Sequence, residues 1–421
     1  MKQFQDGAFR FVVGIEDTFV PQVRIGERAL DEYELTQHYV QWESDLGLAR
    51  NVGASSIRYG FPWYRLNPAP GVFVWDWADR VVDRLAELDL EVILDLIHYG
   101  TPMWLDNGFL NRSYPERVAD YAYRLAERYG DRVHAWTPAN EPQVNAIRCG
   151  EEGAWPPHFR GHDGYVQMIR ALGRGIVLSQ EAIAAARPEM SFVHVEAMFR
   201  YAVDGDHHSD LVDLLDRRRF LALDLVTGRV GADHEMLPYL ERYGVTDADL
   251  EWFQLHSVRP DVLGINYYPG WTTEVYSRHN GAETHTVRND WTDGLEDLVH
   301  TFAERYDVPI MVTETSVVGT PEERVAWLDA SVECLMRLRD EGCPVVGYTW
   351  FPFLDLLEWG YREALTPPET HLQPMGLYEL VPDSVGILER RPTAAADRYR
   401  ELAVKYGGPV RDRTHDDRTT R

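Results

Sequence analysis

Glu91-Val92-Ile93-Leu94-Asp95-Leu96-Ile97, an amphipathic run over residues 115–129, and Val133-His134-Ala135-Trp136-Thr137-Pro138-Ala139 together decide how this chain folds. Two short, mostly apolar runs flank a segment whose apolar residues recur at spacings of three and four, so the stretch reads strand, helix, strand. Strands that are apolar on both faces belong to a parallel sheet covered on its outer side. Pro115 stands where the first turn of a helix tolerates proline, and Gly130 follows the last turn.

The same alternation recurs outward from this core in both directions. Strands are expected over 11–15, 55–59, 191–195, 262–267, 309–313 and 345–350, which with the two above makes eight, and helices over 77–88, 165–186, 292–306 and 321–340. Eight such strands alternating with helices close into an α/β fold, a single (β/α)₈ TIM barrel. An open doubly wound sheet is the rival, but it carries a Gly-rich phosphate turn after its first strand, and here that strand runs into Glu16-Asp17-Thr18-Phe19. The barrel is expected to occupy residues 1–406, with a flexible tail over 407–421. Extra helices over 196–261 and loops over 269–291 and 361–373 are expected at the C-terminal face of the strands, where barrels bind ligands.

The 421 residues carry 42 Lys+Arg against 68 Asp+Glu, a net charge of −26 that repels phosphate backbones and anionic lipid. Neither nucleic acid nor membrane is an expected partner, and the densest basic run, Arg217-Arg218-Arg219, reads as a solvated helix face. Cys149, Cys334 and Cys343 form no Cys-x-x-Cys pair, so free thiols in a reducing compartment and no metal are expected. The N-terminus lacks an apolar signal core, and no stretch approaches the ~18 to 20 apolar residues of a membrane span, which points to the cytoplasm.

Chemistry enters at two strand ends. The fourth strand finishes in Asn140-Glu141-Pro142 and the seventh in Thr313-Glu314-Thr315, so each puts a glutamate where apolar strand meets the barrel mouth. Partial desolvation there raises a carboxyl pKa and makes a general acid. A facing pair is the requirement for cleaving a glycosidic bond, with retention at a carboxyl gap of about 5 to 5.5 Å and inversion at about 6.5 to 9.5 Å.

With Gly264-Ile265-Asn266-Tyr267-Tyr268 after the sixth strand, Leu354-Asp355-Leu356-Leu357-Glu358-Trp359 after the eighth and Gly376-Leu377-Tyr378 beyond, the chain resembles glycoside hydrolase family 1, the β-glucosidase family, from residue 11 to about 381. The resemblance implies a retaining β-glycosidase that needs no cofactor, with Glu314 as nucleophile and Glu141 as acid/base. It assigns Asn140 to the sugar 2-hydroxyl, His98 to the 3-hydroxyl and Trp350 to a platform under the ring. Glu358 would hold the 4- and 6-hydroxyls and disfavour a 6-phosphate, and Trp359 would reach the 3-hydroxyl. Arg58 and Tyr268 would sit against the nucleophile, although Arg58 is equally placed to neutralise Asp95; Asn266 lies in the shared sixth-strand motif. The implied partner is a small-molecule or oligosaccharide β-glycoside.

The chain departs from the family pattern in the glycone pocket. The glutamine usual beyond the first strand is missing, leaving Glu16 or Gln22 in its place; His98-Tyr99-Gly100 replaces His-Trp-Asp; Pro138-Ala139 precedes the acid/base motif; and Thr315-Ser316 replaces Asn-Gly. Loops 155–163 and 269–291, rich in Trp, His and Tyr, are the expected aglycone walls. The competing readings are a β-galactosidase, β-mannosidase or endo-glucanase of the same clan, a transglycosidase, and a catalytically silent sugar-binding barrel.

Overall fold

A computed structural model describes Phe4 and residues 6–205, 208–279 and 282–407. Apart from Gly407, the expected tail lies outside the described residues.

Eight parallel strands close a barrel: β1 (Arg10–Gly14), β2 (Ser56–Gly60), β3 (Glu91–Asp95), β4 (Ala135–Thr137), β5 (Ser191–Ala197), β6 (Val262–Asn266), β7 (Ile310–Glu314) and β8 (Val345–Trp350). Each pairs with its neighbours in chain order, and β8 returns to β1 through Val13↔Trp350. All eight expected strands are present. Those after 91 and 133 end earlier than expected, and Pro138 explains the second, because a residue without an N–H cannot extend the ladder. Asn140 and Glu141 resume it irregularly, donating N–H to Ile97 and Val195 carbonyls.

The barrel interior is a plug of Val12, Ile93, Ala135, Val193, Val195, Val262, Met311 and Val346, all buried. Such a filled centre makes the fold a packed scaffold and confines ligands to its mouth. Outside it, helices Asp76–Glu87, Tyr114–Tyr129, Gly161–Ala186, Trp291–Tyr306 and Pro321–Asp340 cover the sheet close to their expected positions. Two covering helices, His38–Asn51 and Ala394–Tyr406, escaped the sequence reading. The first interleaves charged and apolar residues with little periodicity, so it offers no amphipathic stripe to read.

Among its described residues the region 196–261 holds four helices, Asp210–Arg218, Leu221–Val226, Leu237–Arg242 and Asp247–Leu255. The excursion 269–291 is a hairpin, Thr273–His279 with Ala282–Arg288, which pairs with Arg200–Val203 in a three-stranded sheet beside the mouth. The basic run is corrected: only Arg217 is exposed, while Arg218 is buried in a bidentate pair with Glu151 at 2.7 and 2.8 Å over the Tyr165 ring. Among the described residues no helix is long and apolar enough to cross a membrane.

The segment after β8 is fastened by one side chain. Buried Asp355 accepts backbone N–H groups of Met375 and Gly376 on Oδ1, at 3.0 and 2.9 Å, and that of Leu380 on Oδ2 at 3.1 Å. Asp355→Ala would leave three buried donors unpaired, so it should lower stability by about 3 kcal/mol. Urea unfolding of the two proteins, compared at equal m-value, measures this.

Candidate active site

The ends of β2, β3, β4, β6 and β7 deliver the polar groups of the mouth. Register sets Glu314 on β7 opposite Asn266 on β6, and Gly60 on β2 opposite Asp95 on β3. Gly60 has no spare room: a Cβ there would lie 1.6 Å from Asp17 Oδ2, so glycine is what admits Asp17 to the cluster.

Arg58 lies at the centre of these groups and is fully buried. Its Nη1 contacts Glu314 Oε1, its Nε and Nη2 meet Asp95 at 3.1 and 2.7 Å, and Nη2 also donates to Asn140 Oδ1 at 2.7 Å. The two sequence readings of Arg58 are therefore both satisfied by one planar fork with five donors. Tyr268 Oη donates to Glu314 Oε2 at 2.8 Å.

Glu141 has different partners. Thr313 donates to Asn266 Oδ1 at 2.7 Å, which orients the amide so that Nδ2 donates to Glu141 Oε1 at 2.8 Å. Tyr99 Oη donates to the other oxygen, Oε2. Glu141 itself has φ 41° and ψ 63°, a left-handed conformation rare outside glycine and asparagine.

Burial pushes Glu314 up to about 7; Arg58 opposes the rise and the charge of Glu141 adds to it. Burial also raises Glu141, against the hydrogen bonds from Tyr99 and Asn266. Two carboxyls that raise each other lose their protons in two steps belonging to the pair. Between those steps the guanidinium contact favours the charge on Glu314, leaving the proton on Glu141.

His98 sits among carboxylates: Nδ1 lies 3.1 Å from Asp17 and 3.4 Å from Asp95, and Nε2 lies 3.2 Å from Glu16 and 3.0 Å from Asn140 Nδ2. Burial works against a charged ring, but Glu16 and Asp17 overcome it and hold His98 well above the usual imidazole range. Asp17, Asp95 and His98 bring their donor atoms within 4.8 Å of one another. That cluster already has its cations, Arg58 on Asp95 and the imidazolium between the acids.

A cavity of about 500 Å³ opens over these groups. Of the residues expected at the site, Glu141, Glu314, His98, Asn266, Tyr268, Glu358 and Trp359 line it, whereas Arg58, Asn140 and Trp350 do not. Arg58 and Asn140 form the layer beneath, the guanidinium donating to Asn140 Oδ1. Trp350 is turned away from the cavity, fully buried, its Nε1 donating to the Met375 carbonyl at 3.1 Å. Phe351, the next residue, is the ring that stacks parallel to His98, at 6.0 Å.

Glu358 is half exposed at the rim and pairs with His371 at 2.8 Å. Of the two residues left near the missing glutamine, Glu16 lines the cavity, held by Thr18 N–H and Oγ1 at 2.9 and 2.6 Å, whereas Gln22 is exposed. Tyr99 was visible in the sequence only as a departure from a motif. Val144, Ile147, Met198, Phe199 and Trp271 give the cavity wall an apolar stretch. Loop 269–291 lines the cavity through Trp271, Thr272 and Glu274, but 155–163 does not, because Trp155 is buried edge-on against Tyr99 and Trp359 at 5.1 and 4.9 Å.

Residues 13–365 match the model of glycosyl hydrolase family 1. Over 387 residues the chain is 27% identical to a bifunctional β-D-glucosidase/β-D-fucosidase of Bifidobacterium breve, covering 77% of this chain and 80% of that protein. It is 29% identical to thermostable β-glucosidase B of Thermobispora bispora, covering 77% and 74%. Among solved structures, the family 1 β-glucosidase of Thermotoga maritima superposes with a TM-score of 0.79 at 18% identity, covering 97% of this chain and all of that one, a likeness of fold. With eight strands in one ring, a glutamate at the end of the seventh and another just beyond the fourth, and a family match over most of its length, this chain belongs to glycosyl hydrolase family 1.

Proposed function

We propose that the protein is a retaining β-glycoside hydrolase, β-glucosidase-like, with Glu314 as nucleophile and Glu141 as acid/base. Its family makes it an O-glycosidase. The observation that supports these roles most is that two buried carboxyls share one cavity with unlike partners, a guanidinium on Glu314 and only neutral donors on Glu141. The first is held as an anion able to attack carbon, and the second keeps a proton to give.

In the first step a Glu314 oxygen bonds to the anomeric carbon as the glycosidic C–O bond breaks, and Glu141 passes its proton to the departing oxygen. In the second, Glu141 takes a proton from water while that water's oxygen displaces Glu314 from the sugar. Glu16, His98, Glu358 and Trp359 face the glycone hydroxyls, and the carboxylates among them repel a 6-phosphate. The apolar stretch of wall suits a leaving group with an aryl or alkyl face, so the partner is a small-molecule or oligosaccharide β-glycoside. A cytoplasmic setting fits three free cysteines, two of them buried, and the net charge of −26 disfavours nucleic acid.

Incubation with a 2-deoxy-2-fluoro-β-glucosyl fluoride should add one sugar mass to the protein, mapping to the peptide with Glu314; a label elsewhere would overturn the assignment. Glu314→Ala should abolish hydrolysis, and azide should then restore turnover of an activated aryl β-glycoside with inverted product. Glu141→Ala should slow poor leaving groups at least ~100-fold more than activated ones, since only the former need a proton. Equal loss on both substrates would reject the assigned acid.

Arg58→Lys tests the electrostatics. A weaker cation lets Glu314 rise above about 7, and because the nucleophile must be ionised, the acid limb of kcat/KM should move to higher pH. A rise of one unit lowers the rate below that limb about tenfold, as a pH–rate profile on an aryl glycoside would show.

A further inference from the structure

Tyr99 meets Glu141 in a way that the two-glutamate mechanism leaves unused. Its hydroxyl donates to Oε2 while Asn266 Nδ2 donates to Oε1, so both carboxyl oxygens have a protein donor. Tyr99, in the loop beyond β3, has φ 74°, a conformation that side-chain-bearing residues adopt rarely and usually where the surroundings impose it. Its ring is clamped edge-on by Trp155 at 5.1 Å, Trp359 at 5.6 Å and His98 at 4.9 Å. Three rings thus aim one hydroxyl at one oxygen.

We propose that Tyr99 is a positioning residue for the acid/base, its clamped hydroxyl fixing the Oε2 side of the Glu141 carboxyl. The inference rests on Glu141 acting as acid/base. A phenol O–H bonds more strongly to a carboxylate than to a carboxylic acid, so it favours the state that Glu141 reaches after protonating the leaving oxygen and occupies before accepting a proton from water. Tyr99 keeps its own proton throughout: burial and the charge of Glu141 push its phenol far above the ordinary range. The other polar groups acting on Glu141 are Asn266 from β6, Tyr268 beyond it, Arg58 from β2, His98 beyond β3, Glu314 from β7 and Glu196 from β5. Each remains in place when only the Tyr99 oxygen is removed.

Tyr99→Phe makes that change and retains the aromatic clamp. On a poor leaving group the alkaline limb of kcat/KM should move up by on the order of one pH unit, because Glu141 holds its proton longer. On an activated aryl glycoside, limited by the second step, the acid limb of kcat should move up as well, because the base is ionised over a narrower range. Carbon-13 titration of glutamate carboxyls, with Glu141 assigned by Glu141→Gln, should show the same upward shift without turnover. Superimposable Glu141 titrations in wild type and folded Tyr99→Phe would overturn the proposal. If the titration shifts but Glu141→Ala still cleaves poor leaving groups normally, the contact stands and the acid/base role of Glu141 fails, so the two readings separate.

Discussion

One guanidinium organises the mouth of this barrel. Arg58 joins Asp95, Asn140 and Glu314, so residues from β2, β3 and β7 and from just beyond β4 are fixed relative to each other by a single planar group. Two buried carboxylates would be prohibitively costly without a cation, and a cation without them equally so. Because strand register brings the partners to one level, the fold supplies the geometry and the charges make it specific. Asn140, pinned from below, sets where the chain turns into Glu141.

The parts of this arrangement legible in the sequence are those with a local signature. Strands buried on both faces appear as apolar runs, and a glutamate closing such a run announces itself whatever surrounds it. Arg58, Asn266 and Tyr268 could be anticipated only through the resemblance of the short motifs that hold them. Trp350 occupies a similar position, yet it faces away and Phe351 takes the place against His98. Side-chain direction at a strand's last residue depends on the path the chain takes beyond it, here through Phe351-Pro352-Phe353.

Other features depend on partners distant in the chain. Arg218 reads as solvated because its neighbours are charged, and it is buried because Glu151, 67 residues away, folds over it. Tyr99 reads as a substituted tryptophan, and its reach to Glu141 depends on Trp155 and Trp359 closing on its ring. No periodicity encodes contacts of this kind. Two of the positions where the chain departs from the family pattern, Glu16 and Tyr99, both adjoin His98 in space.

The small sheet beside the mouth bears on how such a protein can change. The strand Arg200–Val203 comes directly after Met198 and Phe199, and the strand Thr273–His279, which pairs with it, lies just beyond Trp271. Much of the apolar stretch of the cavity wall is therefore carried by an accessory layer with its own hydrogen-bond ladder, outside the closed ring that holds the two glutamates. Inheritance can treat the two as separate modules. A change in the hairpin reshapes the apolar side of the cavity, while the ring of charged groups around Arg58 stays as it is.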